Sequence, residues 1–284
     1  MVNAKSYQLG LYEKAMPSHL SWLEKCQATK DAGFDYLEIS VDETDAKLAR
    51  LDYDDAQIKE IKEAIDTTGI HILSMCLSGH RRFPLGSHNP DIRNTSLQIM
   101  EKAIKFAIKL GLRTIQLAGY DVYYEQSDAE SKAMFEINLQ KCVQMASKHG
   151  VVLGFETMET DFMDTSTKAM VHIERHNSPY LKLYPDIGNL TNASRITKVS
   201  VSDDLNNARG HIVAAHLKEI IEGHYREIPF GQGNTHYDEA IECLHSQGVN
   251  LFTGEFWYVG NEDWKSDLVF ANQYLRTKIE KYYK

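Results

Sequence analysis

Four side chains of the kinds that commonly bind metal ions follow apolar segments in the second half of the sequence. They are Glu156, Asp186, His216 and Glu255, separated by 30, 30 and 39 residues. Three carboxylates brought to one place would repel one another unless a cation lay between them. The set therefore predicts one divalent metal ion, and its three oxygen donors and one imidazole suit Mn²⁺, Mg²⁺, Co²⁺ or Zn²⁺.

The spacing of these residues also indicates the fold that would bring them together. An eight-fold barrel of about 250 residues has βα units of roughly 31 residues, and its functional residues lie at the carboxyl ends of the strands. Residues one unit apart would then lie side by side on adjacent strands. A single carboxylate at a strand end is as often a solvated residue or a helix cap as a ligand. The repeated spacing favours a shared site.

Eight apolar segments are predicted to be the strands that position these side chains. Five of them follow a helical run that ends in glycine, which can adopt positive φ before the chain enters a buried strand. The predicted strands cover residues 8–12, 36–40, 72–77, 114–118, 151–156, 181–186, 212–217 and 251–255. Because parallel strands need helical crossovers, we expect an α/β protein, a single (β/α)₈ TIM barrel over residues 1–284.

The sixth unit is the weakest part of this prediction. Residues 191–211 contain only a short polar helix candidate, from Ser202 to Arg209. A doubly wound open sheet is the alternative fold. The absence of a G-x-G-x-x-G motif after the first predicted strand disfavours that alternative.

The overall composition narrows the classes of function. The chain of 284 residues has a formal net charge of −9 and a pI of about 5.7, which disfavours nucleic acid as the main ligand because phosphate contacts need Lys and Arg. The first residues lack the apolar run of a signal peptide, and no window approaches the roughly 20 apolar residues of a membrane span. Four scattered cysteines favour neither a disulfide framework nor a cysteine metal site. We therefore expect a cytoplasmic protein that binds neither nucleic acid nor membrane.

Five further segments stand out in the sequence, at residues 10–15, 36–40, 77–87, 185–190 and 254–257. They resemble the L-xylulose/L-ribulose 5-phosphate 3-epimerases, a group within the xylose-isomerase-like TIM barrel superfamily. The resemblance implies a metal-dependent sugar epimerase of pentose and ascorbate breakdown, with Glu156, Asp186, His216 and Glu255 as metal ligands. Relatives of this kind are often dimers, so a homodimer is also implied.

The same resemblance implies a two-base reaction at a carbon next to a ketone. One base removes the C3 proton and the other returns a proton on the opposite face, while a divalent ion stabilises the charge of the enediolate between them. The residues that correspond to these bases are Glu156 and Glu255. The fifth and eighth strands are not adjacent, so their side chains can flank a substrate from two sides. Which face belongs to which glutamate stays open.

A further set of residues is predicted to bind the sugar or its phosphate. Arg226 resembles the substrate-binding arginine of related epimerases, although it follows His216 by ten residues, which is more than the family spacing. Asn189 stands where those relatives have a substrate-binding histidine. Arginine forks and turn N–H groups suit phosphate oxygens, and carboxylates suit sugar hydroxyls. The remaining candidates are His80, Arg81, Arg82 and the turn 231–233 for phosphate, and Glu38 and Glu159 for hydroxyl groups.

Three other functions are compatible with parts of this pattern. Aldose–ketose isomerisation or dehydration of a cyclitol would use the same metal and bases. A DNA repair endonuclease would need extra histidine ligands and basic loops, which the acidic balance disfavours. A barrel that binds sugar without catalysis would not need the full ligand set.

Overall fold

Eight parallel strands form one continuous sheet in the computed structural model, which describes residues 6–284. The strand order is β6-β5-β4-β3-β2-β1-β8-β7. The strands are β1 Gln8–Tyr12, β2 Tyr36–Val41, β3 His71–Leu77, β4 Thr114–Ala118, β5 Val152–Glu156, β6 Leu181–Leu183, β7 Ala215–Leu217 and β8 Leu251–Gly254. The sheet curves until β6 and β7 meet, so the predicted (β/α)₈ TIM barrel fold is confirmed.

The seam between β6 and β7 differs from the other seven strand pairs. Its two bridges, Leu183 with Ile212 and Asp186 with His216, lie outside the regular ladders. Pro185 has no N–H to donate, which ends the ladder of β6 early. Its carbonyl still accepts from His216 N at 2.9 Å. Both strands are therefore shorter than the predicted ranges 181–186 and 212–217.

Helices cover the outer face of the sheet. They are α1 Trp22–Asp31, α2 Asp45–Leu48, α3 Asp55–Thr68, α4 Pro90–Leu110, α5 Ala129–Lys148, α6 Ser166–His176, α7 Ile187–Thr197, α8 Val201–Asn206, α9 Tyr237–Ser246 and α10 Trp264–Ile279. Short 3₁₀ helices cover Glu13–Ala15, Ala49–Asp52 and Ser78–Arg81. As expected from the glycine pattern, α3 and α4 end at Gly69 and Gly111, with φ of 78° and 81°.

The prediction for the sixth unit was wrong in its main helix. The structure has an eleven-residue helix, α7, directly after Asp186, and the predicted segment from Ser202 to Arg209 contains only the six-residue α8. The sequence did not indicate α7 because polar residues on it, Asn189, Thr191 and Asn192, are buried. The apolar residues of this helix, Ile187, Leu190 and Ala193, do recur at helical spacing, but the buried polar residues between them obscure the pattern.

One hydrophobic cluster connects the barrel interior to the layer beneath the helices. It includes Leu9, Leu153 and Phe252 from strands and Ile61, Met100 and Leu268 from helices. Within residues 6–284, every helix is too short or too polar to cross a membrane. Residues 1–5, on which part of the signal-peptide argument rests, lie outside the described residues.

Candidate active site

The four predicted metal ligands lie together at the carboxyl ends of the last four strands. Glu156 ends β5, Asp186 lies between β6 and α7, His216 lies within β7, and Glu255 follows β8. One ligand atom from each lies within 4.8 Å of those of the other three. Each residue is at most 5% exposed. The chain therefore brings three carboxylates and one imidazole into a single buried cluster.

Backbone contacts across the strand ends fix this arrangement. Asp186 and His216 form a parallel bridge, and Glu255 N donates to Leu217 O at 3.0 Å. Asp186 is also the N-cap of α7, where its Oδ1 accepts from Asn189 N at 2.6 Å. Such a cap holds the carboxylate in one orientation. The other oxygen, Oδ2, lies 3.0 Å from Lys218 Nζ.

The cluster has the composition of a divalent metal site. His216 Nδ1 lies 3.2 Å from Glu255 Oε2 and 3.7 Å from Glu156 Oε1, so the imidazole nitrogen and both glutamates face a common centre. Carboxylate oxygens with one imidazole suit Mn²⁺, Co²⁺, Zn²⁺ or Mg²⁺. Buried carboxylates this close together are costly unless positive charge offsets them. These residues therefore fit a divalent cation.

The protein's own groups distribute charge unequally over the three carboxylates. Burial raises the pKa of Glu156, and the neighbouring Glu255 raises it further. Burial raises the pKa of Asp186 well above its usual range. Burial also opposes ionisation of Glu255, but Lys218 and His216 hold its pKa well below the usual range. Among protein charges alone, Glu255 is the carboxylate that carries the negative charge most readily.

Lys218 is a member of the site that the sequence interpretation missed. Its Nζ lies 3.0 Å from Asp186 Oδ2 and 3.5 Å from Glu255 Oε2, and its side chain is 5% exposed. The ammonium also lies 6.0 Å from the Trp257 ring centre. A signal was present, because residues two apart at a strand end point to the same side, and Lys218 follows His216 by two.

A polar cavity opens from this cluster toward the barrel mouth. Glu156 and Glu255 line it, together with the aromatic rings of Tyr12, Tyr225 and Trp257. Its other charged and amide side chains are Lys14, Arg81, Glu159, Asn189, Lys218 and Arg226. The cavity therefore combines carboxylates at the cluster with cations on its walls, as a small anionic polyol would require.

Four of the seven residues predicted to bind substrate line this cavity. They are Arg81, Glu159, Asn189 and Arg226. Arg226 reaches it despite the long spacing from His216, and its Nη2 lies 3.0 Å from Glu159 Oε1. Tyr123 OH donates to the same Glu159 oxygen at 3.3 Å. Glu159 therefore links the loop after β4 to the loop after β7 across the mouth.

The other three predicted substrate residues, Glu38, His80 and Arg82, lie outside the cavity. Glu38 is fully buried and contacts His216 Nε2 from the side opposite the carboxylates. His80 is buried, with Nε2 3.1 Å from Ser96 O, and burial lowers its pKa to about 4. Arg82 is half exposed and pairs with Asp45 at 2.7 Å. These positions do not support direct contact with a sugar phosphate.

The turn 231–233, predicted as a phosphate-binding element, donates a hydrogen bond to a carboxylate of the protein itself. Gly231 N donates to Glu219 Oε2 at 3.0 Å, and Thr235 N donates to Glu219 Oε1 at 3.1 Å. Glu219 is buried, at 2% exposure. Its carboxylate occupies the position that a phosphate would need, so the turn is a structural element.

Arg81 occupies a different environment from Arg82, its neighbour in the chain. Its guanidinium lies 4.8 Å from the centre of the Tyr123 ring, and its nearest carboxylate contact is Glu43 at 3.7 Å. Its Nε is buried without a hydrogen-bond partner among the described residues. An unpaired buried donor is costly. Arg81 therefore lines the cavity and has one donor, Nε, that no described residue accepts from.

Comparison with known proteins supports the fold and identifies relatives. Residues 26–276 match the model of the xylose isomerase-like TIM barrel family. L-ribulose-5-phosphate 3-epimerase UlaE of Salmonella paratyphi A is 40% identical over 279 residues, covering 98% of this chain and 97% of that protein.

Solved structures of low sequence identity share the fold. D-psicose 3-epimerase of Clostridium cellulolyticum H10, solved with D-tagatose, superposes with a TM-score of 0.80 at 18% identity, covering 96% of this chain and 99% of the other. An L-ribulose 3-epimerase has a TM-score of 0.75 at 17% identity, covering 97% and 95%.

Proposed function

The chain belongs to the xylose isomerase-like TIM barrel family and is an isomerase of the epimerase type, and from this premise we propose that it interconverts L-xylulose 5-phosphate and L-ribulose 5-phosphate at C3. The observation that carries the proposal is a cavity with two buried glutamates at its base and cations on its walls. The 40% identity to an L-ribulose-5-phosphate 3-epimerase over nearly the whole chain supports the choice of sugar.

Glu156 and Glu255 are the two proposed catalytic bases. They lie at the ends of β5 and β8, which β6 and β7 separate in the closed barrel, so they approach the cavity from different directions. One carboxylate oxygen removes the C3 proton, the electron pair of that C–H bond forms the C2–C3 double bond, and the C2–O π pair moves onto the ketone oxygen to give an enediolate. The other glutamate then delivers a proton to the opposite face of C3, and the ketone re-forms.

Glu156, Asp186, His216 and Glu255 are the residues that would hold the divalent ion. When bound there, the ion supplies a Lewis acid for the ketone oxygen and the adjacent hydroxyl oxygen. Lys218 adds a fixed positive charge at the same end of the cavity, 3.0 Å from Asp186 and 3.5 Å from Glu255. Its ammonium offsets the carboxylates and favours binding of a substrate on which negative charge develops.

Arg81 and Lys14 are the proposed phosphate ligands. Both line the cavity, on the 3₁₀ helices that follow β3 and β1. Lys14 pairs with Asp42 at 2.6 Å, and Arg81 has only the longer contact with Glu43. Arg226, Glu159 and Asn189 are left to bind the hydroxyl groups. A single domain over residues 1–284, a homodimer and a cytoplasmic location complete the proposal.

The decisive experiment is NMR in D₂O with L-xylulose 5-phosphate and L-ribulose 5-phosphate, following exchange at C3. Glu156→Gln and Glu255→Gln are each expected to lower epimerisation by about 10²-fold or more. Each variant should still exchange the C3 proton of one epimer, and the two variants should differ in which epimer that is.

A control and a metal assay make this experiment specific. Glu136→Gln removes a carboxylate on α5 that binds His172 and His176 outside the cavity, and it should leave turnover unchanged. Loss of metal would abolish exchange in both epimers, so metal content is measured for every variant. Near wild-type epimerisation by both glutamine variants would exclude the two-base proposal.

A further inference from the structure

We propose that Glu38 is a positioning residue that acts through His216, holding the imidazole so that Nδ1 faces the three carboxylates and strengthening divalent-cation binding. The inference rests on the proposed metal site. It differs from the role predicted from the sequence, in which Glu38 binds a sugar hydroxyl. Glu38 is 0% exposed and lies behind His216, so a substrate in the cavity cannot reach it.

The central contact is a short hydrogen bond between the two side chains. His216 Nε2 lies 2.5 Å from Glu38 Oε1, and both side chains are fully buried. An ionised carboxylate can only accept, so the imidazole donates from Nε2. The Nδ1 lone pair is then left toward Glu255 and Glu156, at 3.2 and 3.7 Å. This is the arrangement in which a carboxylate orients a metal-binding histidine.

Glu38 is itself held in place by two hydroxyl groups. Its Oε2 accepts from Ser74 Oγ at 2.6 Å and from Tyr184 OH at 2.9 Å. Tyr184 OH also contacts Thr253 Oγ1 at 2.8 Å, and Thr253 in turn contacts Tyr36 OH at 2.8 Å. The network therefore draws on β2, β3, β8 and Tyr184, the residue directly after β6. A carboxylate that is fully bonded in this way has little freedom to move.

The cost of burying this carboxylate supports a role beyond packing. Moving an ionised group out of water is expensive, and a well-packed apolar residue would often be as stable. The imidazole ring is already bounded by Tyr184, whose ring centre lies 5.1 Å away, and by Tyr12 at 6.0 Å. Gln116 Nε2 lies 3.1 Å from His216 Nδ1 and 3.2 Å from His216 Nε2, so neither the aromatic rings nor this amide distinguishes the two nitrogens. Glu38 removes that ambiguity.

The test measures metal affinity directly, without sugar. Zn²⁺ and Mn²⁺ affinities of the full chain are determined by competition with a chromophoric chelator. Glu38→Gln keeps the size of the side chain but removes its charge, and it is expected to weaken binding on the order of 10- to 100-fold. Ser74→Ala and Tyr184→Phe each remove one donor to Glu38, so smaller losses are expected. These two milder variants decide the matter if Glu38→Gln does not fold.

A spectroscopic readout and a control separate positioning from general stability. In Zn²⁺-loaded wild-type protein, ¹⁵N-edited NMR should show His216 protonated at Nε2 and bound to metal at Nδ1, with the Nε2 proton far downfield. That proton should move upfield in Glu38→Gln. Asp204→Asn removes another buried carboxylate, one that accepts from Ser166 N and Thr167 N far from the cluster, and it should leave metal affinity unchanged.

The outcomes also distinguish this inference from the proposed function. Unchanged Zn²⁺ and Mn²⁺ affinity in folded Glu38→Gln, or in both milder variants, overturns the role of Glu38 even if epimerisation is found. If Glu38→Gln weakens metal binding as expected but the wild-type protein epimerises neither pentulose phosphate, the proposed function alone is overturned.

Discussion

Arg81 and Arg82 are adjacent in the chain, yet only Arg81 lines the cavity. The 3₁₀ helix Ser78–Arg81 ends between them, so their side chains leave the backbone in different directions. Arg81 has a partly buried guanidinium over Tyr123, whereas Arg82 is half exposed and paired with Asp45. Sequence alone gave both arginines the same role, since neither residue type nor spacing separates them.

This pair gives a matched prediction for the phosphate. Arg81→Ala is expected to raise KM for L-xylulose 5-phosphate roughly 10- to 100-fold, since a charged hydrogen bond contributes about 1.5–3 kcal/mol and 1.4 kcal/mol corresponds to a factor of ten. The same variant should scarcely change activity on unphosphorylated L-xylulose. Arg82→Ala is the control. Steady-state kinetics on both sugars measure these changes in KM. If Arg81→Ala and Arg82→Ala change KM for the phosphorylated sugar equally, Arg81 is not the phosphate ligand.

The element that follows β1 is held by a buried ion cluster outside the cavity. Glu13, on the first 3₁₀ helix, accepts from Lys25 at 2.7 Å, Lys47 at 2.8 Å and Arg50 at 2.6 Å. Lys25 and Arg50 also lie over the Trp22 ring, each 4.8 Å from its centre. One carboxylate thus joins α1, α2 and the 3₁₀ helix Ala49–Asp52 to the end of β1.

Removing the Glu13 carboxylate should destabilise the protein without changing its affinity for the metal ion. Glu13→Gln leaves three cations close together with no anion among them, so we expect a loss of about 3–5 kcal/mol in the free energy of unfolding. Urea unfolding measures that loss, and Zn²⁺ affinity should stay at the wild-type value. A loss of less than about 1 kcal/mol in the free energy of unfolding would contradict the stabilising role of Glu13.

The pH dependence of the same contribution has a defined sign. Burial alone would raise the pKa of Glu13, but Arg50, Lys47 and Lys25 hold it well below its usual value of 4.5. A carboxyl whose pKa is lower in the folded state stabilises that state fully above its unfolded pKa and loses the contribution as pH falls below it. The stability difference between wild type and Glu13→Gln should therefore shrink below about pH 4.

Strands and helices differed in how well the sequence predicted them. The predicted limits of β1 and β4 agree with the structure because a strand buried on both faces has a continuous apolar run. The α7 helix was missed because it begins at the capping residue Asp186 and buries amide and hydroxyl side chains. Of the candidate site, residue types and spacing were enough to group the four ligands. The directions of His80 and Arg82, on and just after the 3₁₀ helix that follows β3, were not predictable, whereas the two-residue period of a strand could have grouped Lys218 with His216.

At the scale of the whole molecule, the ligand cluster spans the least regular part of the barrel. Its four residues come from β5, the β6–α7 junction, β7 and the end of β8, and the β6–β7 seam lies among them. Among the strand pairs of residues 6–284, this seam is the one joined by isolated bridges instead of a regular ladder. A cation bound to all four residues would connect both sides of the seam. Metal binding should therefore stabilise the closure of the barrel as well as the site.

Metal removal tests this coupling by mass action. A ligand present at 100 times its Kd stabilises the folded state by about 2.7 kcal/mol, so a matching excess of Zn²⁺ should raise Tm above that of EDTA-treated protein. Hydrogen exchange should slow most at residues 181–186 and 212–217, which flank the seam, and least on β2 and β3 at the far side. Glu38→Gln provides the comparison, since weaker binding should reduce both effects at the same Zn²⁺ concentration. Uniform protection across all eight strands would show that the cation stabilises the fold without acting on the seam.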